Sequence, residues 1–306
     1  MGLLNLKSML SIANQHQFAV GAFNAIDSNF IDAVFTAAQQ NQSPVIINVA
    51  EVHLTYIDLE STAEYIKKKA MLAGVPVCLN LDHGLTFSTV ERAIKCGFSS
   101  IMFDGSSLTY AENIAQTRKV VELCQNYGIS VEGELGAVGG DEHGALESCA
   151  DVALYTNVEQ AVEFVRETGI DALAVAIGNT HGKYKGVPKL DFERLAQIHQ
   201  AVSVPLVLHG GSGLSADDFR KTIQRGICKI NFFTGMSQAA LQSLEKDMQH
   251  TDLETKYHYY LIMMNRMQQA ISDTVAEQMN IFNSINKAHL SNRAVKPRPL
   301  GRGYKV

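Results

Sequence analysis

Short hydrophobic runs alternate along this chain with stretches of helical spacing. Eight runs, apolar or alternating, are bounded by turn residues as buried strands are; they cover residues 18–24, 44–49, 77–83, 100–105, 129–136, 172–178, 205–210 and 228–233. Between them apolar residues recur with helical spacing, for example over residues 28–40, 111–127, 158–168 and 216–225. The pattern predicts strands and helices in strict alternation, which requires a parallel sheet.

Eight strand–helix units suffice to close a barrel, so we predict an α/β fold, a (β/α)8 TIM barrel with extra C-terminal helices. Ser28, Asn157 and Ser215 stand where helix N-caps are expected. Glycines stand where helices give way to the next strand, at positions 74, 97, 128, 169 and 226. An open doubly wound sheet is the alternative, but eight units and a long C-terminal segment exceed its usual size.

The 306 residues fit one domain of this kind. We expect residues 1–290 to form a single barrel with helices at about 235–245 and 253–282, and residues 291–306 to form a basic, mobile tail. The net charge of −5 and the lack of a basic stripe argue against a nucleic-acid partner. No apolar stretch is long enough for a membrane span, and five scattered cysteines without a CxxC pair suggest reduced thiols in a cytoplasmic protein.

Polar residues with useful chemistry collect at the predicted carboxyl ends of the strands: Asn24, Asp82, His83, Asp104, Glu134, His181, His209 and Asn231. Barrel enzymes place their active sites at this face, so the placement predicts an enzyme. His83, His181 and His209 each end an apolar run and precede a glycine. For any one of them a satisfied core or loop histidine is the alternative, but three such imidazoles suit a catalytic zinc, with an open fourth position. Cobalt or manganese would also bind such a set.

Three loops have the composition of phosphate sites. The glycines of residues 209–213 allow backbone N–H groups to approach an anion, residues 231–234 open a helix, and residues 181–185 supply lysines. A phosphate between the last two strands is a known barrel arrangement. The residues predicted to bind substrate here are Gly182, Lys185, Gly210, Gly211, Ser212, Asn231, Phe232, Phe233 and Thr234.

Several sequence motifs occur in the order and spacing of a known protein family. They are LDHG (81–84), MFDGS (102–106), VEGELGAVGG (131–140), AVAIGNTHGKYKG (174–186), LVLHGGSG (206–213) and KINFFTG (229–235). With them the chain resembles the class II, metal-dependent ketose-bisphosphate aldolases, in the branch of the tagatose- and fructose-bisphosphate enzymes. The resemblance implies reversible cleavage of a phosphorylated ketose to dihydroxyacetone phosphate and an aldehyde. It also implies a zinc ion that stabilises the enediolate, and a homodimer or homotetramer.

The resemblance further implies roles for single residues. His83, His181 and His209 would be the zinc ligands, with Glu134 and Asp104 at an alternative, second or monovalent cation position. The acid–base residue at the aldehyde oxygen would be Asp82, and Glu142, in a glycine-rich loop, would move the carbon-bound proton. Near the substrate lies Asn24, and the triose phosphate would be held by Gly182, Lys185, Gly211, Ser212, Asn231 and Thr234.

The chain departs from the family pattern at residues expected to lie near the distal end of the substrate. Ala50 stands where relatives usually carry Ser or Thr, and Glu51, an acid ill suited to a distal phosphate, follows together with His53. The arginine that grips the distal phosphate in fructose-bisphosphate members is displaced here to Arg266, with Gln268 at the matching position and tail arginines 298 and 302 as alternatives. We therefore hypothesise a ketose 1-phosphate rather than a bisphosphate substrate.

Other functions fit part of the pattern. A metal-dependent sugar-phosphate isomerase or epimerase could use the same fold and metal site. A class I aldolase would form a Schiff base, for which Lys229 is the candidate, but the three histidines would then have no task. A non-catalytic supporting subunit of an aldolase would not need every metal ligand and both carboxylates.

Overall fold

The computed structural model describes residues 2–138, 147–148, 154–184, 186–249 and 256–292. Its centre is a closed barrel of eight parallel strands, which confirms the predicted (β/α)8 fold. In chain order the barrel strands are β1 Val20–Asn24, β2 Val45–Ala50, β3 Val77–Gly84, β4 Ser100–Phe103, β5 Ser130–Leu135, β6 Ala172–Val175, β7 Leu206–Leu208 and β8 Ile227–Phe232. Two further two-residue strands, Glu147–Ser148 and Lys183–Tyr184, pair outside the barrel.

Among the described residues, one α-helix precedes β1, one lies between each pair of successive barrel strands and three follow β8, and a side-chain cap precedes each of the first eight. The helices are α1 Leu6–Gln15, α2 Ser28–Gln40, α3 Leu59–Leu72, α4 Phe87–Lys95, α5 Tyr110–Gln125, α6 Val158–Thr168, α7 Phe192–Ala201, α8 Ala216–Ile223, α9 Thr234–Gln249, α10 Lys256–Ile281 and α11 Ala288–Asn292. Asn157 and Ser215 are N-caps as predicted. The prediction for Ser28 was wrong, because the Asp27 side chain accepts from the Phe30 amide and makes Ser28 the first helical residue.

The amino-terminal end of the barrel is filled with apolar side chains. Helix α1 buries Leu6, Met9 and Leu10 against interior residues of the strands, among them Val20 and Ile46. Burial of such side chains stabilises the fold by about 1.5–3 kcal/mol each. Because this end is plugged, polar interior side chains lie toward the carboxyl ends of the strands.

The C-terminal helices pack on the outside of the barrel. Helix α10 contacts α9 and α2 and buries Ile271, Val275 and Met279. The burial of Met267 and Met279 agrees with a packing role for the methionines of this segment. Within the part of the chain that the structure describes, no helix combines the length and hydropathy that a bilayer span needs.

Candidate active site

A pocket opens at the carboxyl ends of the barrel strands and collects most of the predicted site residues. Its lining comprises Asn24, Ala50, His53, Asp82, His83, His181, Gly182, Gly210, Gly211, Ser212, Asn231, Phe232, Phe233 and Thr234. Strand register explains the gathering, since parallel strands end together at one face. Asp104 and Glu134 lie beside this cluster through His83 and His209. Of the predicted site residues, Glu142 and Lys185 lie outside the described residues.

The structure brings the three predicted histidines together. The Nε2 atom of His83 lies 2.8 Å from Nδ1 of His209. The ring of His181 is centred 5.1 Å from the ring of His83 and 5.9 Å from that of His209. One nitrogen from each ring falls within 4.8 Å of the others, a spacing that a single metal ion could bridge.

A carboxylate orients each of two of these rings. The Nδ1 atom of His83 lies 2.8 Å from Oδ2 of Asp104, and Nε2 of His209 lies 2.8 Å from Oε1 of Glu132. The nitrogens left to face the cluster are therefore Nε2 of His83 and Nδ1 of His209. Metal-binding histidines usually have such a second partner, which sets the tautomer and the ring orientation. The backbone of His83 also has a φ of 45°, an uncommon value for a residue other than glycine.

Burial favours the neutral form of two of the imidazoles, the form that binds a metal. Burial lowers the pKa of His181 well below its usual range, and the neighbouring His83 and His209 lower it further. Burial also lowers the pKa of His209, although its hydrogen bond with Glu132 opposes the shift. Three nitrogen donors in this setting fit zinc. A second set, His83 with Asp104 and Glu134, also lies within 4.8 Å.

Two asparagines hold the carboxylate of Asp82. The Nδ2 atom of Asn231 donates to Oδ1 at 2.9 Å, and Nδ2 of Asn24 donates to Oδ2 at 3.2 Å. Burial raises the pKa of Asp82, but charge on His83 and other neighbouring groups outweighs burial and lowers the pKa to about 2. Asp82 thus presents an ionised carboxylate of fixed orientation to the pocket.

Beneath the histidines lies an ion pair that sequence reasoning did not find. The Nζ atom of Lys229 donates to Oε2 of Glu132 at 2.7 Å, and both side chains are completely buried. Sequence reasoning considered Lys229 only as a Schiff-base candidate and did not single out Glu132. Side chains two apart share a strand face, so the spacing of Glu132 to Glu134 on β5 could have indicated that both point inward.

Side-chain contacts fix the predicted phosphate loops to one another. The Tyr184 hydroxyl donates to the Gly210 carbonyl at 2.9 Å, and the Asn179 amide donates to the His209 carbonyl at 3.0 Å. The Ser212 hydroxyl oxygen accepts from the Gly235 amide at 3.2 Å. These contacts join the segments that follow β6, β7 and β8 into one wall, as an anion site built from backbone donors requires.

Gly210→Ala is expected to destabilise this wall. Gly210 has a φ of 63°, and a Cβ atom there would overlap the Thr180 carbonyl oxygen. Positive φ costs alanine about 1 kcal/mol and the overlap adds to it, so Tm in thermal unfolding should fall by several degrees. Gly186→Ala is the matched control, because its φ is 90° but its surroundings are open. Equal Tm losses in both variants would contradict a steric role for Gly210.

Of the residues that depart from the family pattern, Ala50 and His53 line the pocket. Glu51 turns away from the pocket, so the expectation that its acid would face the distal end of the substrate was wrong. Its carboxylate instead accepts from the Leu85 and Thr86 amides and from the Thr89 hydroxyl. Arg266 donates to Asp247 at 2.6 Å and does not line the pocket.

Both phenylalanines of the last loop line the pocket. The Phe232 ring packs over Gly235, in the first turn of α9, and edge-on against Phe23. The Phe233 ring lies 5.0 Å from the His53 ring. The Phe232 ring therefore lies against the helix that follows the last strand.

Comparison with known proteins places this geometry in context. A model of the family "Fructose-bisphosphate aldolase class-II" matches residues 4–287. A protein of Bacillus subtilis (strain 168) named "Probable fructose-bisphosphate aldolase" is 38% identical over 291 residues, which are 94% of this chain and 100% of that protein.

Solved structures are similar over nearly the whole chain. The YdjI aldolase from Escherichia coli K12 superposes with a TM-score of 0.81 at 32% identity, covering 94% of this chain and 99% of that one. The fructose-bisphosphate aldolase (Fba) of Campylobacter jejuni superposes with a TM-score of 0.79 over 94% of this chain and 97% of that one. At 23% identity, this second likeness shows the shared fold.

Proposed function

This chain belongs to the class-II fructose-bisphosphate aldolase family, and we propose that it cleaves a phosphorylated ketose reversibly to dihydroxyacetone phosphate and an aldehyde. The observation that carries the proposal is the grouping of three imidazoles, two of them buried, beside a carboxylate with a lowered pKa, Asp82, and a wall of phosphate-type loops. Carbon–carbon cleavage next to a ketone needs these three parts: charge stabilisation, a proton acceptor and a grip on the substrate.

The donor set supports a divalent metal ion. Zinc would be held by Nε2 of His83, Nδ1 of His209 and a nitrogen of His181, with Asp104 and Glu132 orienting two of the rings. When bound, such an ion supplies Lewis-acid stabilisation to the ketone oxygen of the substrate, an effect of several kcal/mol. Asp104 and Glu134 offer an alternative or second cation position around His83.

The chain's own residues would handle the protons. In the cleavage direction Asp82 would accept the proton of the hydroxyl on the carbon that becomes the aldehyde. As the carbon–carbon bond breaks, its electron pair passes into the ketone half. The carbon of the ketone half that carried the broken bond is then protonated. We assign this proton transfer to Glu142, which lies outside the described residues. Asn24 and Asn231 orient Asp82 and exclude rotation of its carboxylate.

The phosphate of the triose half would bind to the wall after β6, β7 and β8. The backbone of Gly182, Gly210 and Gly211, the Ser212 hydroxyl and the start of α9 at Thr234 all line this side, and helix N-termini favour anions. We propose Lys185 as a further contact. At the other end of the pocket the described lining residues include neither lysine nor arginine, which supports a ketose 1-phosphate rather than a bisphosphate.

A retro-aldol assay tests this proposal. Release of dihydroxyacetone phosphate should be followed for fructose 1-phosphate, tagatose 1-phosphate and the two 1,6-bisphosphates, before and after treatment with a chelator. We expect activity that the chelator abolishes and that added Zn²⁺ restores, with the ketose 1-phosphates as better substrates. Activity that resists chelation would contradict the metal site, and a dominant bisphosphate activity would contradict the substrate class. Isomerisation without release of an aldehyde would indicate an isomerase.

Three expectations stay predictions. We propose one barrel domain over residues 1–290, a homodimer or homotetramer, and a cytoplasmic location. The four cysteines that the structure describes are all free thiols, which supports a reducing compartment. Sedimentation of the purified protein would measure the oligomeric state.

A further inference from the structure

The turn that follows β2 forms one side of the pocket and is rigidly attached. It is a short 3-10 helix, Glu51–Thr55, and the carboxylate of Glu51 anchors its start. This carboxylate accepts from the Leu85 amide at 2.6 Å and from the Thr86 amide at 3.1 Å. These amides lie just after His83, so the turn is fixed directly to the segment that carries a proposed metal ligand.

His53 extends from this anchored turn into the pocket. Its side chain is 5% exposed, lines the pocket and packs against the ring of Phe233. The other ionisable side chains among the described lining residues are Asp82, His83 and His181, which already belong to the proposed chemistry. On the side of the pocket that follows β2, Ala50 contributes only a methyl group. His53 is therefore the polar side chain among the described lining residues of that side.

The order of the strands decides which part of the substrate meets His53. The phosphate wall follows β6, β7 and β8, and the proposed metal ligands end β3 or follow β6 and β7. Strand β2 lies between β1 and β3, away from β6. If the triose phosphate occupies the phosphate wall and the ketone faces the imidazoles, we place the remaining carbons past Asp82 toward β1 and β2, where Asn24, Ala50 and His53 line the pocket.

We infer that His53 binds the aldehyde half of the sugar and selects a hydroxyl there; this inference rests on the proposed function. One nitrogen of a neutral imidazole donates and the other accepts, which matches a hydroxyl group. Cationic side chains favour a phosphate, and the described lining residues of the pocket include neither lysine nor arginine. The ring of Phe233 beside His53 suits the apolar carbon face of a sugar.

Two reactions of the same enzyme distinguish binding of the triose half from binding of the aldehyde half. Exchange of the carbon-bound proton of dihydroxyacetone phosphate with deuterated water needs only the triose half, whereas cleavage of fructose 1-phosphate needs both. For His53→Ala we expect KM for cleavage to rise about tenfold, the effect of losing one substrate hydrogen bond, and proton exchange to change less than about twofold. His53→Gln, which keeps a donor and an acceptor, should lose less than His53→Ala.

The exposed His16, on the opposite end of the barrel at the end of α1, is the matched control, and His16→Ala should leave both reactions unchanged. Equal losses of cleavage and exchange in His53→Ala would overturn the inference, because they would mean a structural role for His53. Unchanged cleavage would also overturn it. A His53→Ala loss confined to fructose 1,6-bisphosphate would overturn the hydroxyl preference. Absence of both reactions in the unaltered protein would overturn the proposed function and the inference with it.

Discussion

Asp82→Asn is expected to lower kcat for sugar-phosphate cleavage by about 10²–10⁴, the range for loss of a general acid–base residue. We propose the carboxylate of Asp82, which Asn24 and Asn231 hold, as the proton acceptor of the reaction. An asparagine has nearly the same size but cannot take the substrate's hydroxyl proton. The measurement is steady-state kinetics of dihydroxyacetone phosphate release at saturating substrate and saturating Zn²⁺.

Two controls isolate the chemical role of Asp82. Metal content and Tm of the variant must be measured, because both neighbouring amides donate and an asparagine can accept only one of them. Asp217→Asn is the matched substitution, since Asp217 is exposed on α8 and pairs with Lys221, and it should leave kcat unchanged. A normal kcat for Asp82→Asn at full metal content would contradict the assignment.

Lys229→Met is expected to lower the free energy of unfolding by about 3–5 kcal/mol, the usual cost of removing one partner from a buried ion pair. Lys229 and Glu132 are both completely buried. Burial raises the pKa of Glu132, but the charge of Lys229 outweighs it, with help from His209, and the net shift is downward. Without the lysine, Glu132 must either remain charged in an apolar interior or take up a proton. Urea unfolding measures the loss.

A double-mutant cycle checks that the loss comes from the pair. Adding Glu132→Gln to Lys229→Met removes the stranded charge, so the double variant should be more stable than the sum of the single losses implies. Lys221→Met is the control for a lysine in an exposed ion pair and should change stability little. Equal losses for Lys221→Met and Lys229→Met would contradict the buried-pair account.

The same pair connects stability to the proposed site. Oε1 of Glu132 meets His209, while its Oε2 meets Lys229. Because one carboxylate serves both, we attribute the ring orientation of His209 to an ion pair one layer below the pocket. Partners of this kind commonly tune metal affinity by about 10–100-fold.

Much of the fold could be predicted because its determinants are local. Hydrophobic residues recur every second position in strands and every 3.6 positions in helices, so neighbouring residues alone reveal each element. Helices α2 and α6 accordingly occupy the predicted residues 28–40 and 158–168. The grouping of His83, His181 and His209 could be predicted for the same reason: each lies at or after the carboxyl end of its own buried strand, and parallel strands bring these ends to one face. The exact N-cap residue was harder to predict: Asp27 caps α2, where Ser28 was expected.

Contacts across the barrel were decided only by the tertiary structure. Glu51 sits next to the pocket in sequence but turns to the amides of residues 85 and 86, because these unpaired donors at the start of α4 attract a carboxylate. Glu132 and Lys229 are 97 positions apart, and nothing in either segment specifies the other. The amino-acid sequence by itself determined the barrel and the face that carries the chemistry. Which side chains pair within that face depends on strand order and register, which arise only when the barrel closes.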